Sequence, residues 1–370
     1  MREGAFHAAK RLLEDPMYIT QISPRDARAM KKVHALLERT GLTLDDHLDY
    51  TCGLFDEDEN LVATGSAFGA TLRCFAVDPA HQGEGLLNQV ITHLMEVQTA
   101  RGNLHLFVYT KPASARFFRD LGFYPIAEVP GFLTFLENRR TGFSDYLKTL
   151  LAPAETVPAG EAPSGLPVSA IVMNANPFTL GHRWLVETAA RESERVHLFV
   201  LSEDYGPIPA AVRLRLVREG VADLPNVVIH ETGEYLISSA TFPGYFLKSE
   251  EKILRTQARL DTALFVQIAK VLDVTIRYVG HEPHSLVTAL YNDVLSESLP
   301  AHGIECRIIR RKHTADDRVI SASAVRQAIH DDALDSVADM LPETTLSYFQ
   351  SSESAPIVAA LRAEQDVVHY

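Results

Sequence analysis

A chain of 370 residues, 46% hydrophobic and 22% charged, can fill two ordinary cores without disulfide staples. Its net charge of −13 argues against nonspecific nucleic-acid binding, although a local basic patch could still hold a phosphate. No apolar run reaches the ~18 residues of a membrane span, Met1–His7 opens no apolar export signal, and Cys52, Cys74 and Cys306 lack metal-ligand spacing, so a cytoplasmic protein with inert thiols, no membrane partner and no dedicated metal ligands is expected.

The front of the chain mixes helix and strand patterns. Residues 24–40 repeat apolar side chains at helical spacing behind Ser23, the expected cap. Residues 51–55 and 61–67 flank the acidic turn 56–60 as a hairpin, and 71–77 reads as a further strand. A helix is expected at 86–100, a strand at 104–109 and a short helix at 114–121. Residues 151–167 are rich in Pro, Ala and Gly without an apolar period, and read as a linker between a domain 1–150 and a domain 168–370. Beyond it, strands at 168–173, 196–201, 227–230, 275–279 and 304–309 alternate with helices near 181–192, 210–222, 250–271, 284–298 and 321–331. That alternation predicts an α/β, doubly wound parallel sheet. The tail after Pro342 reads as helical.

In the front domain, Asp78-Pro79-Ala80-His81-Gln82-Gly83-Glu84-Gly85-Leu86 leaves a strand and opens a helix. Glycines there turn the backbone sharply and aim N–H groups at a pyrophosphate. Gln82-Gly83-Glu84-Gly85 resembles the acyl-CoA loop of the GNAT acetyltransferases, and Lys111–Tyr124, with its Gly122-Phe123, resembles the helix that closes the acyl-CoA side of that fold. The resemblance implies a GNAT-like α/β domain in which Gln82, Gly83 and Gly85 hold a pantetheine arm. Leu87 replaces the small residue usual at the end of the loop, and no general base is evident, since Glu84 and Glu96 read as surface charges. The fold serves either docking alone or acetyl transfer itself.

Behind the linker, strand 168–173 runs into Asn174-Ala175-Asn176-Pro177-Phe178-Thr179-Leu180-Gly181-His182 and a helix. A hydroxyl, a glycine and a histidine at a helix start, beside the C-terminal end of a strand, suit a nucleotide phosphate. Downstream, Ile320-Ser321-Ala322-Ser323-Ala324-Val325-Arg326 opens a second helix with hydroxyls, free N–H groups and a guanidinium one turn on. The pair resembles the two signatures of the nucleotidyltransferase superfamily. That resemblance implies a Rossmann-like, cytidylyltransferase-type domain in which Thr179, His182, Ser323 and Arg326 neutralise charge at the ATP phosphates. Asn176, Pro177, Phe178, Gly181 and Ser321 would line the nucleotide. Ser202 and Glu203 after one strand, and Gly280, Glu282 and Pro283 after another, are further candidates. Ala322 stands where a second serine is usual, which removes a donor. Arg310-Arg311-Lys312-His313 is either a solvated basic face or part of a triphosphate clamp, and one of Arg213 and Arg215 could reach a phosphate. Asn174 and Asn176 place neutral amides where many relatives carry a carboxylate, and amides would not repel an anionic second substrate.

Four segments, Val172–Arg183, Glu234–Phe246, Tyr278–Pro283 and Ile320–Arg326, together resemble the citrate lyase ligases, and the resemblance covers nearly the whole chain. It implies an AMP-forming acid–thiol ligase. ATP and acetate would give acetyl adenylate and pyrophosphate; the thiol of the CoA-like prosthetic group on citrate lyase's acyl carrier protein would then take the acetyl group and release AMP. Mg2+ would be held by phosphates and water. Thr241–Phe246 is either a set of core aromatics around a proline turn or a wall of the adenylate pocket. The alternatives are an adenylyltransferase making a dinucleotide-type cofactor, a GNAT protein acetyltransferase with a regulatory nucleotide-binding domain, and a nonenzymatic nucleotide sensor.

Overall fold

The computed structural model describes residues 17–152, 165–204, 206–236, 242–247, 249–281, 286–364 and 367. The chain divides into two units: Met1–Arg140 with Pro243–Ile253, and Thr141–Phe242 with Leu254–Tyr370.

The first unit is built on seven strands: β1 (Tyr18–Gln21), β2 (Tyr50–Phe55), β3 (Leu61–Phe68), β4 (Thr71–Val77), β5 (Phe107–Thr110), β6 (Tyr124–Val129) and β7 (Leu133–Glu137). Their order in the sheet is β1-β2-β3-β4-β5-β7-β6. Helices α1 (Ala27–Arg39), α2 (Leu86–Ala100) and α3 (Pro112–Asp120) complete it. Hydrophobic burial selects the faces: Val90, Ile91 and Leu94 of α2 join Val62, Leu72 and Val108 of the sheet in one core. Asp26, not Ser23, caps α1, accepting from the N–H groups of Arg28 and Ala29; Ser23 accepts from Arg25 in the turn before it. The parallel pair β4–β5 is in register only at Thr71↔Phe107 and Leu72↔Val108. This mixed sheet with helices on its faces is the GNAT-like fold that the glycine loop implied.

A stretch from far along the chain completes this unit. Thr43 donates from its backbone N–H to the Tyr245 carbonyl at 2.9 Å. The Tyr245 hydroxyl donates to the Tyr109 carbonyl of β5 at 3.0 Å. Of the two readings of Thr241–Phe246, the part in this unit matches core aromatics, with Tyr245 and Phe246 buried; Phe242, also buried, belongs to the second unit, and Thr241 lies outside the described residues.

The second unit is a five-stranded parallel sheet: β8 (Val168–Met173), β9 (Arg195–Val200), β10 (Val227–Glu231), β11 (Val274–Gly280) and β12 (Glu305–Ile309), in the order β10-β9-β8-β11-β12. Helices α4 (Gly142–Thr149), α5 (Leu180–Glu192), α6 (Ala210–Gly220), α7 (Glu250–Val271), α8 (Leu286–Ser298), α9 (Ala322–His330), α10 (Glu343–Gln350) and α11 (Ala355–Ala363) accompany it. The alternation and the helical tail match the sequence reading. α4 groups with the second unit, where its Phe143 and Tyr146 pack on Tyr235 with ring centroids 4.9 and 4.7 Å away. Most of the expected linker, 153–164, lies outside the described residues. Among the described residues no helix is long and apolar enough to cross a membrane.

Candidate active site

The strand order of the parallel sheet reverses between β8 and β11, and such a reversal opens a crevice at the carboxyl ends of the two strands. β8 ends at Met173, runs through the turn 174–179 and enters α5. Thr179 is the N-cap of α5, and cap and histidine hold each other: the Thr179 N–H donates to His182 Nδ1 at 3.1 Å, and the His182 N–H reaches the Thr179 hydroxyl at 3.4 Å. Because Nδ1 accepts, the ring proton sits on Nε2, which leaves a neutral imidazole with one donor. Burial, followed by the positive charges of Arg311 and Arg326, pushes the His182 pKa down to about 4. His182 is therefore a neutral imidazole near pH 7, with its ring N–H on Nε2.

The second signature lies alongside. Ser321 caps α9, accepting from the Ala324 N–H, and its hydroxyl bonds that of Ser323 at 2.8 Å. A Cβ added at Gly181 would lie 3.4 Å from Ile320 Cγ2 and 3.6 Å from the Ile320 carbonyl oxygen. Two helix N-termini, each with its orphan N–H groups and positive dipole end, are thus neighbours. An anion between them meets both.

Two buried arginines fix the turn that feeds this pair. Arg213, 1% exposed, donates to the Asn174 carbonyl at 2.8 Å and to the Asn174 side-chain oxygen, and also to the carbonyls of Glu203 and Ile208. Arg326, 4% exposed, donates to the carbonyls of Asn176 and Val367. Arg326, expected as a phosphate clamp, is therefore tied to the backbone of the first signature; its charge is felt at His182.

The other expected residues make the following contacts. Phe178 is fully buried; it packs so tightly on Gly220 that a Cβ there would sit 2.4 Å from its ring, and it stacks on the His182 ring at 5.8 Å. It props the histidine from the core, as an apolar side chain beside a helix start does. Pro177 is buried next to it, and the Thr179 hydroxyl is engaged with His182. Ser202 braces two strand ends: its N–H donates to Thr232 Oγ1 at 3.0 Å and its hydroxyl accepts from Gly233 at 2.9 Å. Glu203 offers its carbonyl to Arg213. Arg215, the other arginine of the pair, bonds Glu353 and lies over Tyr348. Gly280 ends β11 at the surface, and a Cβ there would meet nothing within 4 Å. Glu282 and Pro283 lie outside the described residues.

Sequence reasoning left Arg311 undecided. It donates to the His281 carbonyl at 3.1 Å and contributes to the low pKa of His182, so the basic run 310–313 reaches the site. Lys312 lies 5.7 Å from the ring centroid of Trp184, the one tryptophan of the chain, on α5 just past His182. The anchoring role of Arg213 had no local signal, since its partners lie five, ten and thirty-nine residues away. Among the described residues, no group of three or more His, Cys, Asp or Glu side chains is placed to hold a metal ion.

Comparison with known proteins identifies the family. Residues 168–349 match the family model of the citrate lyase ligase C-terminal domain. The citrate (pro-3S)-lyase ligase of Haemophilus influenzae is 34% identical over 88% of this chain and 96% of its own length. That of Klebsiella pneumoniae is 38% identical over 80% of this chain and 86% of its own. The chain belongs to the citrate lyase ligase family. The phosphopantetheine adenylyltransferase of Staphylococcus carnosus is similar over a shorter stretch, 33% identical across 17% of this chain and 40% of its own. A solved structure of a putative acyl-CoA N-acyltransferase from Klebsiella pneumoniae matches 33% of this chain and 95% of its own, at 18% identity and a TM-score of 0.29.

The first unit of the ligase carries its own cleft, of about 570 Å3. Gln82, Gly83 and Gly85 line it with Thr40, Phe75 and Phe117. Gly83 and Gly85 take φ of +90° and +76°, a conformation that L side chains rarely adopt. Gly85 is the N-cap of α2 and offers no side chain, so the first N–H groups of that helix stay open for a ligand.

Proposed function

We propose that this ligase activates acetate with MgATP and delivers the acetyl group to the thiol of a CoA-like prosthetic group on citrate lyase's acyl carrier protein. The supporting observation is the adjacency of the two helix N-termini at Gly181 and Ile320, with the neutral donor His182 between Thr179 and the positive charges of Arg311 and Arg326. In the first step a carboxylate oxygen of acetate bonds to the α-phosphorus, the bond from that phosphorus to the bridging oxygen breaks, and pyrophosphate leaves. Acetate is already ionised near pH 7, so no base is required. His182 Nε2–H, Ser321, Ser323 and the helix N–H groups stabilise the charge that builds on the phosphates. Mg2+ comes with the nucleotide as part of the substrate. In the second step the thiol sulfur bonds to the acetyl carbon, AMP leaves, and the thiol proton passes to solvent.

The cleft at Gln82–Gly85 suits the prosthetic arm: apolar walls match a pantetheine chain, and the open N–H groups of α2 match a phosphate. In this reading the GNAT-like unit holds the arm and does not itself transfer acetyl groups. The cysteine usage of the chain suits a cytoplasmic setting. The deciding experiment follows labelled pyrophosphate into ATP in the presence of acetate and Mg2+, then measures AMP and acetyl thioester together once the thiol carrier is added. Exchange that ignores acetate, or product formation from acetyl-CoA without ATP, would instead support the adenylyltransferase or the protein acetyltransferase.

A further inference from the structure

The turn between β8 and α5 presents two amides, and the structure separates their roles. The Asn174 side-chain oxygen is taken by Arg213. The Asn176 side chain is 4% exposed, and neither its Nδ2 nor its Oδ1 finds a hydrogen-bond partner among the described residues. Unpaired buried amides are costly, and folded proteins pair the large majority of such groups. This one is not slack. Arg326 holds its own carbonyl, and Arg213 holds the backbone two residues before it. Three residues further on, Thr179 caps the helix that carries His182. A pinned, water-poor amide offers two N–H donors without net charge, which is what an anion needs when it must be recognised yet remain a nucleophile.

We propose that Asn176 is the residue that recognises the acyl substrate, a small carboxylate. Its Nδ2–H2 donates to the carboxylate oxygen that does not attack. Once the other oxygen has bonded to the α-phosphorus and pyrophosphate has left, the same donor meets the carbonyl oxygen of the acyl adenylate. No proton changes hands at Asn176 in either state. This rests on the acetate-activating function proposed above and names the residue that selects the acid.

Asn176→Leu removes both polar atoms at similar volume, and the full-length protein is the test object. Acetate KM in the pyrophosphate-exchange assay should rise about tenfold to hundredfold, the loss of one hydrogen bond to a charged group. ATP affinity, read from Trp184 fluorescence, should change less than about twofold. The melting temperature without ligands should hold or rise, because an orphan amide has been removed. An acetate KM within about twofold of wild type overturns the proposal. So does a lower melting temperature together with weakened ATP binding, which would make the amide structural. Should the variant be insoluble, the wild type decides: the Asn176 side-chain 15NH2 resonance must shift when acetate is added with a non-hydrolysable ATP analogue, and an unmoved resonance overturns the assignment. Absence of acetate-dependent exchange in the wild type overturns the underlying function and this proposal with it; exchange with an unaltered variant KM overturns this proposal alone.

Discussion

Mild acid should loosen the second unit and spare the first. Three imidazoles of the second unit are neutral when folded. Burial first, then neighbouring positive charge, lowers His182 to about 4 and His197 to about 3; burial lowers His230 to about 4. His197 and His230 also bond each other at 2.8 Å between β9 and β10, with Phe199 stacked on His230. Their ordinary value is 6.5, so as pH falls the unfolded chain takes up protons before the folded one. The stability these groups contribute is complete above pH 6.5 and is lost as pH falls toward their folded values. At about pH 5 each folded value lies well below the solution, so each ring costs about 2 kcal/mol and the three together about 6 kcal/mol. That is a large share of the ~5–15 kcal/mol that holds a domain. In the first unit the sign is opposite. Burial raises the Asp45 carboxyl from 3.8 to about 6, so the folded form binds its proton first and gains about 1 kcal/mol by pH 5. Hydrogen–deuterium exchange at pH 7.5 and 5, corrected for intrinsic rates, separates the units. Peptides from β9 and β10 should lose protection, peptides from β2 and β3 should keep it, and His197→Gln with His230→Gln should remove roughly two thirds of the slope. Equal protection of β9 and β10 at the two pH values would refute the neutral-imidazole account.

Other expectations follow from single contacts. His182→Ala should lower the acetate-dependent exchange rate by about a hundredfold or more, as loss of a transition-state donor does, while wild-type exchange shows no His182 titration between pH 6 and 8. Gly181→Ala fits sterically, since its Cβ would meet Ile320 in ordinary contact; the melting temperature should hold while ATP binding, followed by Trp184 fluorescence, weakens at least tenfold. Arg326→Met leaves the carbonyls of Asn176 and Val367 unpaired, and chemical denaturation should show a loss of about 2–5 kcal/mol. Gly83→Val, strained at a φ of +90°, should raise the KM for the carrier and leave acetate-dependent exchange unchanged.

Much of the second unit was legible because period and punctuation agree: short apolar runs end where helical spacing begins, and each becomes a strand or a helix. β6 and β7 were less readable. β6 contains Pro125 and lies at an edge with a mostly exposed face, so it lacks the alternation of a half-buried strand. The site divides along a similar line. Thr179, Gly181, His182 and Ser321 stand where local helix-start chemistry places them. The contacts of Arg326 and Phe178 were not legible because their partners, Asn176 and Gly220, are distant in sequence. The difference between Asn174 and Asn176 was invisible for the same reason: only the arrival of Arg213 decides which amide is consumed.

The place of Tyr245 in the first unit bears on how the protein is made. The strands of that unit have all been synthesised once residue 137 is added, yet the hydroxyl that meets the Tyr109 carbonyl, and the carbonyl that meets Thr43, come about a hundred residues later. At ~5–20 residues per second, a nascent chain waits roughly 5–20 s before this unit can close. During that interval β5 and the Thr43 loop lack their last partner while β8, β9 and β10 are already emerging. The two units therefore cannot mature as beads released one after the other. Codon choice or pausing between 141 and 253 would act on the folding yield of the front unit, although that stretch encodes mostly the other one.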